Sequence, residues 1–363
     1  MRILHAVLSE GFYGSERYCG ELAVEQTRQG HDVEVVTLGG DSDCTRAMRQ
    51  LLTLVRAGTS GELALAVVPR ALPAALQRPL ARALLRRFRP HIVHSHLDPA
   101  ARRIGRTAQR MGFPHVATLH LNFSAHEYGA CDGLILIADW QRKTLPADFS
   151  GLVAVVRNWL PAAVTDGLKE ITPGATDKLR RTWGADDQAF VFGSVGRLVP
   201  EKGMDVLIRA FGQAFPRRED PVRLVIVGDG PERARLIDLA SGDPRIVFAG
   251  AQSNVAPFYS GLDAYVNAAR FEPFGMAILE AMAAGCPLVL SRSEGPVEFV
   301  TDARVLWVDI DDQSTLAQAL ANVWARGRQR LAYALDDFAP QRAAAEIEQV
   351  YARVLAQSGR QSV

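Results

Sequence analysis

The chain has 363 residues, 48% hydrophobic and 22% charged, with a formal net charge of +1. That length accommodates two domains with separate cores, and the near-neutral balance gives no electrostatic case for nucleic acid as a partner. The four cysteines, Cys19, Cys44, Cys131 and Cys286, form no C-x-x-C pair. This excludes a spacing typical of structural zinc, argues against a disulfide framework and suits a reducing compartment.

The first apolar run, residues 3–8, is too short for a signal peptide and reads as a buried strand. A helix over 15–29 closes at Gly30, and further strands are expected at 33–38, 91–96, 115–120, 133–137 and 152–156. Between Leu63 and Leu97 there is no acidic residue, while Arg70, Arg78, Arg82, Arg86, Arg87 and Arg89 alternate with Leu, Ala and Phe88. This 70–89 segment is a candidate for lying on an anionic membrane surface, with a solvated basic face as the plainer alternative. Residues 161–173 carry Pro, Gly and Thr without periodicity and read as a linker. Strands then resume at 190–195, 222–227, 246–248, 264–266 and 288–290, and a long helix over 336–357 is expected to pack back across the domains. No apolar run reaches the length of a bilayer span. The expected location is cytoplasmic, with peripheral attachment at the inner face of the cytoplasmic membrane as an option.

Strands alternating with helices predict parallel sheets covered on both faces. The expected fold class is α/β, with two doubly wound, Rossmann-like domains, 1–165 and 174–335, facing a cleft. Ligands of such sheets bind beyond the carboxyl ends of the strands.

Four segments at those ends carry chemistry. Phe271-Glu272-Pro273-Phe274-Gly275-Met276 opens a helix that contains Glu280. The unpaired amides and positive dipole of its first turn offer a seat for phosphate, and the two carboxylates can accept hydroxyls of a ribose and a sugar. Gly196-Arg197-Leu198-Val199-Pro200-Glu201-Lys202 presents a guanidinium and an ammonium that can both reach one diphosphate. There they would stabilise the charge that grows on a departing phosphate. Gly228-Asp229-Gly230-Pro231 lets a base or ribose approach backbone, and it matches neither a Walker loop nor G-x-G-x-x-G. Gly14, ahead of the first helix, offers a similar approach. His94, His96 and His120 cluster at strand ends; no acidic spacing completes a metal set, so no metal site is assigned, and His120 is the functional candidate among them. Ordinary turns and surface charges are the plain alternatives at each place.

Taken in order, these residues resemble glycosyltransferase family 4, retaining transferases of the GT-B fold, most strongly over 193–287. The resemblance implies that Arg197 and Lys202 hold the donor diphosphate and that Glu280 binds the ribose. It implies that Glu272, with the backbone of Phe274, Gly275 and Met276, holds the transferred sugar, and that Gly14 and His120 correspond to the glycine loop and cleft histidine of the first domain. The catalytic set so implied is His120, Arg197, Lys202 and Glu272, with Gly196 and Gly228 among the donor contacts. The implied reaction is metal-independent transfer from a nucleoside-diphosphate sugar, a co-substrate rather than a cofactor, by front-side attack. The acceptor expected is a saccharide or lipid-linked glycan of the envelope, such as lipopolysaccharide core. An epimerase or donor hydrolase of the same architecture, and a silent nucleotide-sugar binder, are the alternatives. The sequence departs from the family at Tyr13, at Ala268-Ala269, at Asn158-Trp159-Leu160 and at Ser293-Glu294-Gly295-Pro296-Val297-Glu298.

Overall fold

A computed structural model describes residues 1–40, 42–53, 61–71, 73–252 and 254–359. The chain divides into two units, Met1–Trp159 with Phe338–Val363, and Leu160–Asp337.

The first unit is built on β1 (Arg2–Val7), β2 (Asp32–Leu38), β3 (Leu63–Val68), β4 (Ile92–His96), β5 (His115–Leu119), β6 (Gly133–Leu136) and β7 (Leu152–Val155). They pair in the order β3-β2-β1-β4-β5-β6-β7, all parallel. The second unit holds β8 (Phe190–Val195), β9 (Val222–Val227), β10 (Ile246–Gly250), β11 (Ala264–Asn267), β12 (Leu288–Ser291) and β13 (Leu306–Val308). Their order is β10-β9-β8-β11-β12-β13, again parallel. Every residue of β4, β5, β11 and β12 is buried, as expected of strands covered on both faces. Each sheet reverses its strand order once, between β1 and β4 and between β8 and β11, and the crevice beyond such a switch point is where doubly wound sheets bind ligands. Each unit thus carries one of the two doubly wound parallel sheets expected of a GT-B chain. The core of the second unit contains an aromatic run. Phe215 meets the Phe192, Phe211 and Trp324 rings at centroid distances of 5.6, 5.3 and 5.5 Å.

The strands expected at 190–195 and 222–227 form as read, whereas β3 and β13 were not foreseen. The 161–173 stretch is not a loose linker. It forms a helix over Ala162–Glu170, and the Thr172 hydroxyl then caps the helix Pro173–Thr182, whose proline takes its first position. Gly167 is a packing residue: a Cβ there would come within 3.0 Å of the Ala256 Cβ.

The last helix, Pro340–Gln357, belongs to the first unit, where Tyr351 is fully buried. The basic segment forms the helix Ala74–Phe88. Arg70 pairs with Glu10 at 2.8 Å and Arg87 with Glu34, while Arg78, Arg82, Arg86 and Arg89 are exposed. Among the described residues no helix is long and apolar enough to cross a membrane.

Candidate active site

In the second unit the candidate residues gather at the carboxyl ends of β8 and β11. After β8 the chain is pinned to the neighbouring loop: the Gly196 amide donates to the Val227 carbonyl at 3.0 Å and the Leu198 amide to that of Asp229 at 2.9 Å. Buried Leu198 anchors the loop, so Arg197 projects outward and is exposed. Gly228 has a structural reason to be glycine. Its φ is +137°, and a Cβ there would come within 1.9 Å of the Gly196 oxygen. Nothing crowds Gly196 itself closer than 3.9 Å, which leaves its surface open to a ligand.

Lys202 ends a short turn, Pro200–Lys202, and Gly203 follows in left-handed conformation with φ +62°. The Lys202 ammonium donates to Glu272 Oε2 at 2.7 Å, and the Asn267 amide reaches the same oxygen at 3.4 Å. Glu272 is buried and Lys202 half-buried, so the cation assigned to phosphate and the carboxylate assigned to the sugar form one pair. Arg270 fixes this geometry. It donates to Asp205 at 2.9 and 3.1 Å, to the Pro200 carbonyl at 2.7 Å and to Asp311 at 2.7 Å, while the Arg270 amide donates to the Glu201 carbonyl. Burial of Asp205 works against its charge, but the Arg270 hydrogen bonds and charge prevail and hold its carboxyl below the usual range.

Gly275 caps the helix Met276–Ala283 with φ +109°, a conformation that glycine adopts without strain. Its carbonyl already accepts from the Ile278 and Leu279 amides. Met276 and Ala277 are half-exposed, and the amides of a helix's first turn have no intrahelical partner. Phe274 turns its ring inward to stack on Phe299 at 4.7 Å, so only its backbone is available to a ligand. Glu280 is buried and accepts from the Tyr259 hydroxyl at 2.8 Å. Burial, then the Glu272 charge and also that of Glu280, raise the Tyr265 hydroxyl pKa. This tyrosine is therefore close enough to feel both carboxylates.

In the first unit Gly14 begins the helix Gly14–Arg28, and Glu16 caps it by accepting from the Tyr13 amide at 2.9 Å. A Cβ on Gly14 would meet nothing within 4 Å, so packing does not explain the glycine. His120 follows β5 and is half-buried, edge-on to Tyr18 at 5.0 Å. Desolvation lowers its pKa to about 3 and leaves it neutral.

His94 and His96 share one face of β4, with His5 of β1 beside them, and their ligand atoms lie within 4.8 Å of one another. All six ring nitrogens have hydrogen-bond partners within 3.5 Å, so the group is built as a polar network. His5 was not anticipated; it joins the cluster through the register that pairs it with His94, which no local sequence pattern signals. Tyr259, Tyr265, Asn267 and Arg270 were also missed. So was Gly295, whose amide donates to the Glu272 carbonyl at 2.9 Å and whose Cβ would come within 2.4 Å of the Pro273 oxygen.

Comparison with known proteins bears on the family and the fold. The "Glycosyl transferase 4-like domain" matches residues 13–160 and "Glycosyl transferases group 1" matches 189–326. A GDP-mannose-dependent alpha-mannosyltransferase of Mycolicibacterium smegmatis is 31% identical over 66% of this chain and 66% of its own length. The lipopolysaccharide core biosynthesis glycosyltransferase LpsE of Rhizobium meliloti is 39% identical over 41% of this chain and 43% of its own. The chain thus spans less than two thirds of these relatives' length. Among solved structures, a glycosyltransferase from Rickettsia africae superimposes with a TM-score of 0.79 at 17% identity over 98% of both chains. Anabaena Alr3699/HepE, in complex with UDP and glucose, gives 0.74 at 19% identity, covering 99% of this chain and 98% of its own. These two likenesses show the shared fold. With both sequence matches falling on the two sheets described above, the chain belongs to glycosyltransferase family 4.

Proposed function

We propose that the protein is a retaining, metal-independent glycosyltransferase that moves a sugar from a nucleoside-diphosphate sugar to an acceptor hydroxyl of a cell-envelope glycan. The observation that carries this reading is the Lys202–Glu272 pair at 2.7 Å, set in the loop that leads to the Met276–Ala283 helix. A diphosphate at that helix start offers Lys202 a more highly charged partner than Glu272. Transfer of the ammonium to phosphate frees the Glu272 carboxylate to accept from sugar hydroxyls, so donor binding itself arms the sugar site. As the glycosidic bond breaks, Lys202 and Arg197 stabilise the charge on the departing phosphate, the role a divalent cation has elsewhere. Glu280 serves the ribose and His120 the reacting sugar. No carboxylate is needed as nucleophile when the acceptor attacks from the leaving-group face.

The mannosyltransferase and lipopolysaccharide-core relatives support a hexose donor and an envelope acceptor. The exposed arginines of the Ala74–Phe88 helix support peripheral binding at the anionic inner face of the cytoplasmic membrane, where a lipid-linked acceptor is reached in two dimensions.

The test is turnover of GDP-mannose and UDP-glucose, without added metal, against lipopolysaccharide-core and lipid-linked acceptors, with product anomers read by NMR. Glycosylated acceptor of retained configuration is expected. Free sugar or an epimer as sole product would replace transfer by hydrolysis or epimerisation, and binding without turnover would make the protein a sensor.

A further inference from the structure

The buried histidines of the first unit form a directional chain that ends on His120. Gln26 and His5 are fully buried and so is His96. His5 Nε2 lies 2.7 Å from Gln26 Oε1, His5 Nδ1 lies 3.0 Å from His96 Nε2, and His96 Nδ1 lies 3.5 Å from His120 Nε2. Strand register creates this line. His5 stands opposite His94, Val7 opposite His96, and His96 opposite Thr118, two residues before His120.

A neutral imidazole has one donor and one acceptor nitrogen, and an amide oxygen can only accept. With the Gln26 amide oxygen toward His5, His5 carries its proton on Nε2, which leaves Nδ1 to accept. That requires His96 to donate from Nε2 and accept at Nδ1, and so His120 donates from Nε2. A second arm meets the Gln26 amide on its other side. Gln26 Nε2 reaches the Tyr351 hydroxyl at 3.4 Å, and that hydroxyl meets His94 Nδ1 at 2.6 Å. His94 Nε2 in turn meets Thr118 Oγ1 at 2.7 Å. With Gln26 Nε2 donating to Tyr351, Tyr351 donates to His94 and His94 to Thr118, so both arms are satisfied by one orientation of one amide. Burial keeps the rings neutral, as the argument requires: His5 falls to about 4, and His94 and His96 fall well below the ordinary histidine value.

We propose that Gln26, His5 and His96 are positioning residues that hold His120 as its Nε2–H tautomer, so that its Nδ1 is the acceptor presented to a substrate hydroxyl. The consequence for the reaction rests on the role given to His120 above; the tautomer itself does not. An imidazole free to exchange tautomers would spend part of its time presenting a donor where an acceptor is needed.

The test is a long-range 1H–15N spectrum of the full chain, labelled at histidine and at neutral pH, with each ring assigned by single substitution. Expected are protonated Nε2 and unprotonated Nδ1 at His5, His96 and His120. A Nδ1–H tautomer or an averaged signal at His120 would overturn the proposal. In Gln26→Leu the His120 signal should move to an averaged tautomer. Transfer should lose at least about tenfold in kcat with little change in donor KM, a part of the ~10²–10⁴ that a positioned acid–base group supplies. Gln26→Glu, whose carboxylate still accepts from His5, should restore the His120 signal. An unmoved His120 signal in Gln26→Leu would sink the relay. A locked His120 together with wild-type turnover in His120→Ala would leave the relay standing and remove His120 from the reaction.

Discussion

Lys202 and Glu272 lie seventy positions apart in sequence and 2.7 Å apart in space. Their pairing means that neither side chain can be altered without changing the other. If the donor diphosphate takes Lys202 from Glu272, the coupling between them should depend on ligand. A double-mutant cycle with Lys202→Met and Glu272→Gln should show about 0.5–3 kcal/mol of interaction in the free protein, and clearly less when nucleoside diphosphate saturates it. Coupling that is the same in both states would contradict the exchange. Gly14 gives a contrasting residue-scale prediction. No neighbour lies within 4 Å of a Cβ there, and its φ is not among the positive ones. Gly14→Ala should leave stability unchanged or raise it by up to about 1 kcal/mol while weakening nucleotide-sugar binding. A fall in melting temperature with binding intact would make Gly14 a structural residue. The Gly-Arg-Leu and Glu-Lys-Gly chemistry and the two glutamates were legible because charge and glycine stand in short local patterns. The Lys202–Glu272 contact and the Tyr259 partner of Glu280 were not, because each depends on which strands become neighbours in the sheet.

At the scale of elements, loops and helix starts are held by contacts whose failure has a calculable direction. Gly203→Ala would place a Cβ 1.9 Å from the Ala268 oxygen at φ +62°, and should cost about 2 kcal/mol or more. Denaturant unfolding checks this, and an unchanged midpoint would refute the packing account. Element boundaries were most legible where strands are continuous apolar runs, as in β8 and β9. β3 was missed because an edge strand with Val67 exposed shows no clean buried face beside the arginine-rich segment. β13 has only three residues. The helix Ala162–Glu170 was obscured by Gly167, a residue present for close packing rather than for flexibility.

At the scale of the whole molecule, the first unit carries an unusual load of neutral buried histidines. His5 is lowered to about 4 and His115 and His120 to about 3 by desolvation, with His94 and His96 also far below their ordinary value. The unfolded chain takes up these protons near pH 6.5, while the folded chain protonates His5 only near 4 and His115 and His120 only near 3, with His94 and His96 displaced in the same direction. The stabilisation is therefore complete above about pH 6.5 and is lost as pH falls through that window, by about 1.4 kcal/mol per pH unit for each histidine. Asp205, held below its usual range, adds a second loss only under more acid conditions, as pH falls below about 4. Equilibrium unfolding from pH 8 to 4 should show stability declining from about pH 6.5, well before carboxylates titrate; a flat profile down to pH 5 would contradict the neutral cluster. The two-domain α/β plan was legible from the restart of strand–helix alternation. The buried histidine network was not, because only the β1–β4–β5 register brings its members together.

The central claim is that the second unit seats a nucleoside diphosphate on Arg197, Lys202 and the Met276–Ala283 helix start. Its most direct test is calorimetric titration of metal-free protein with GDP, UDP and ADP, beside Lys202→Ala and Glu280→Gln. Binding selective for one base, without added metal and weakened at least about tenfold by each substitution, is the result predicted. Undiminished affinity in both variants, or no binding of any of the three at millimolar concentration, would contradict the assignment.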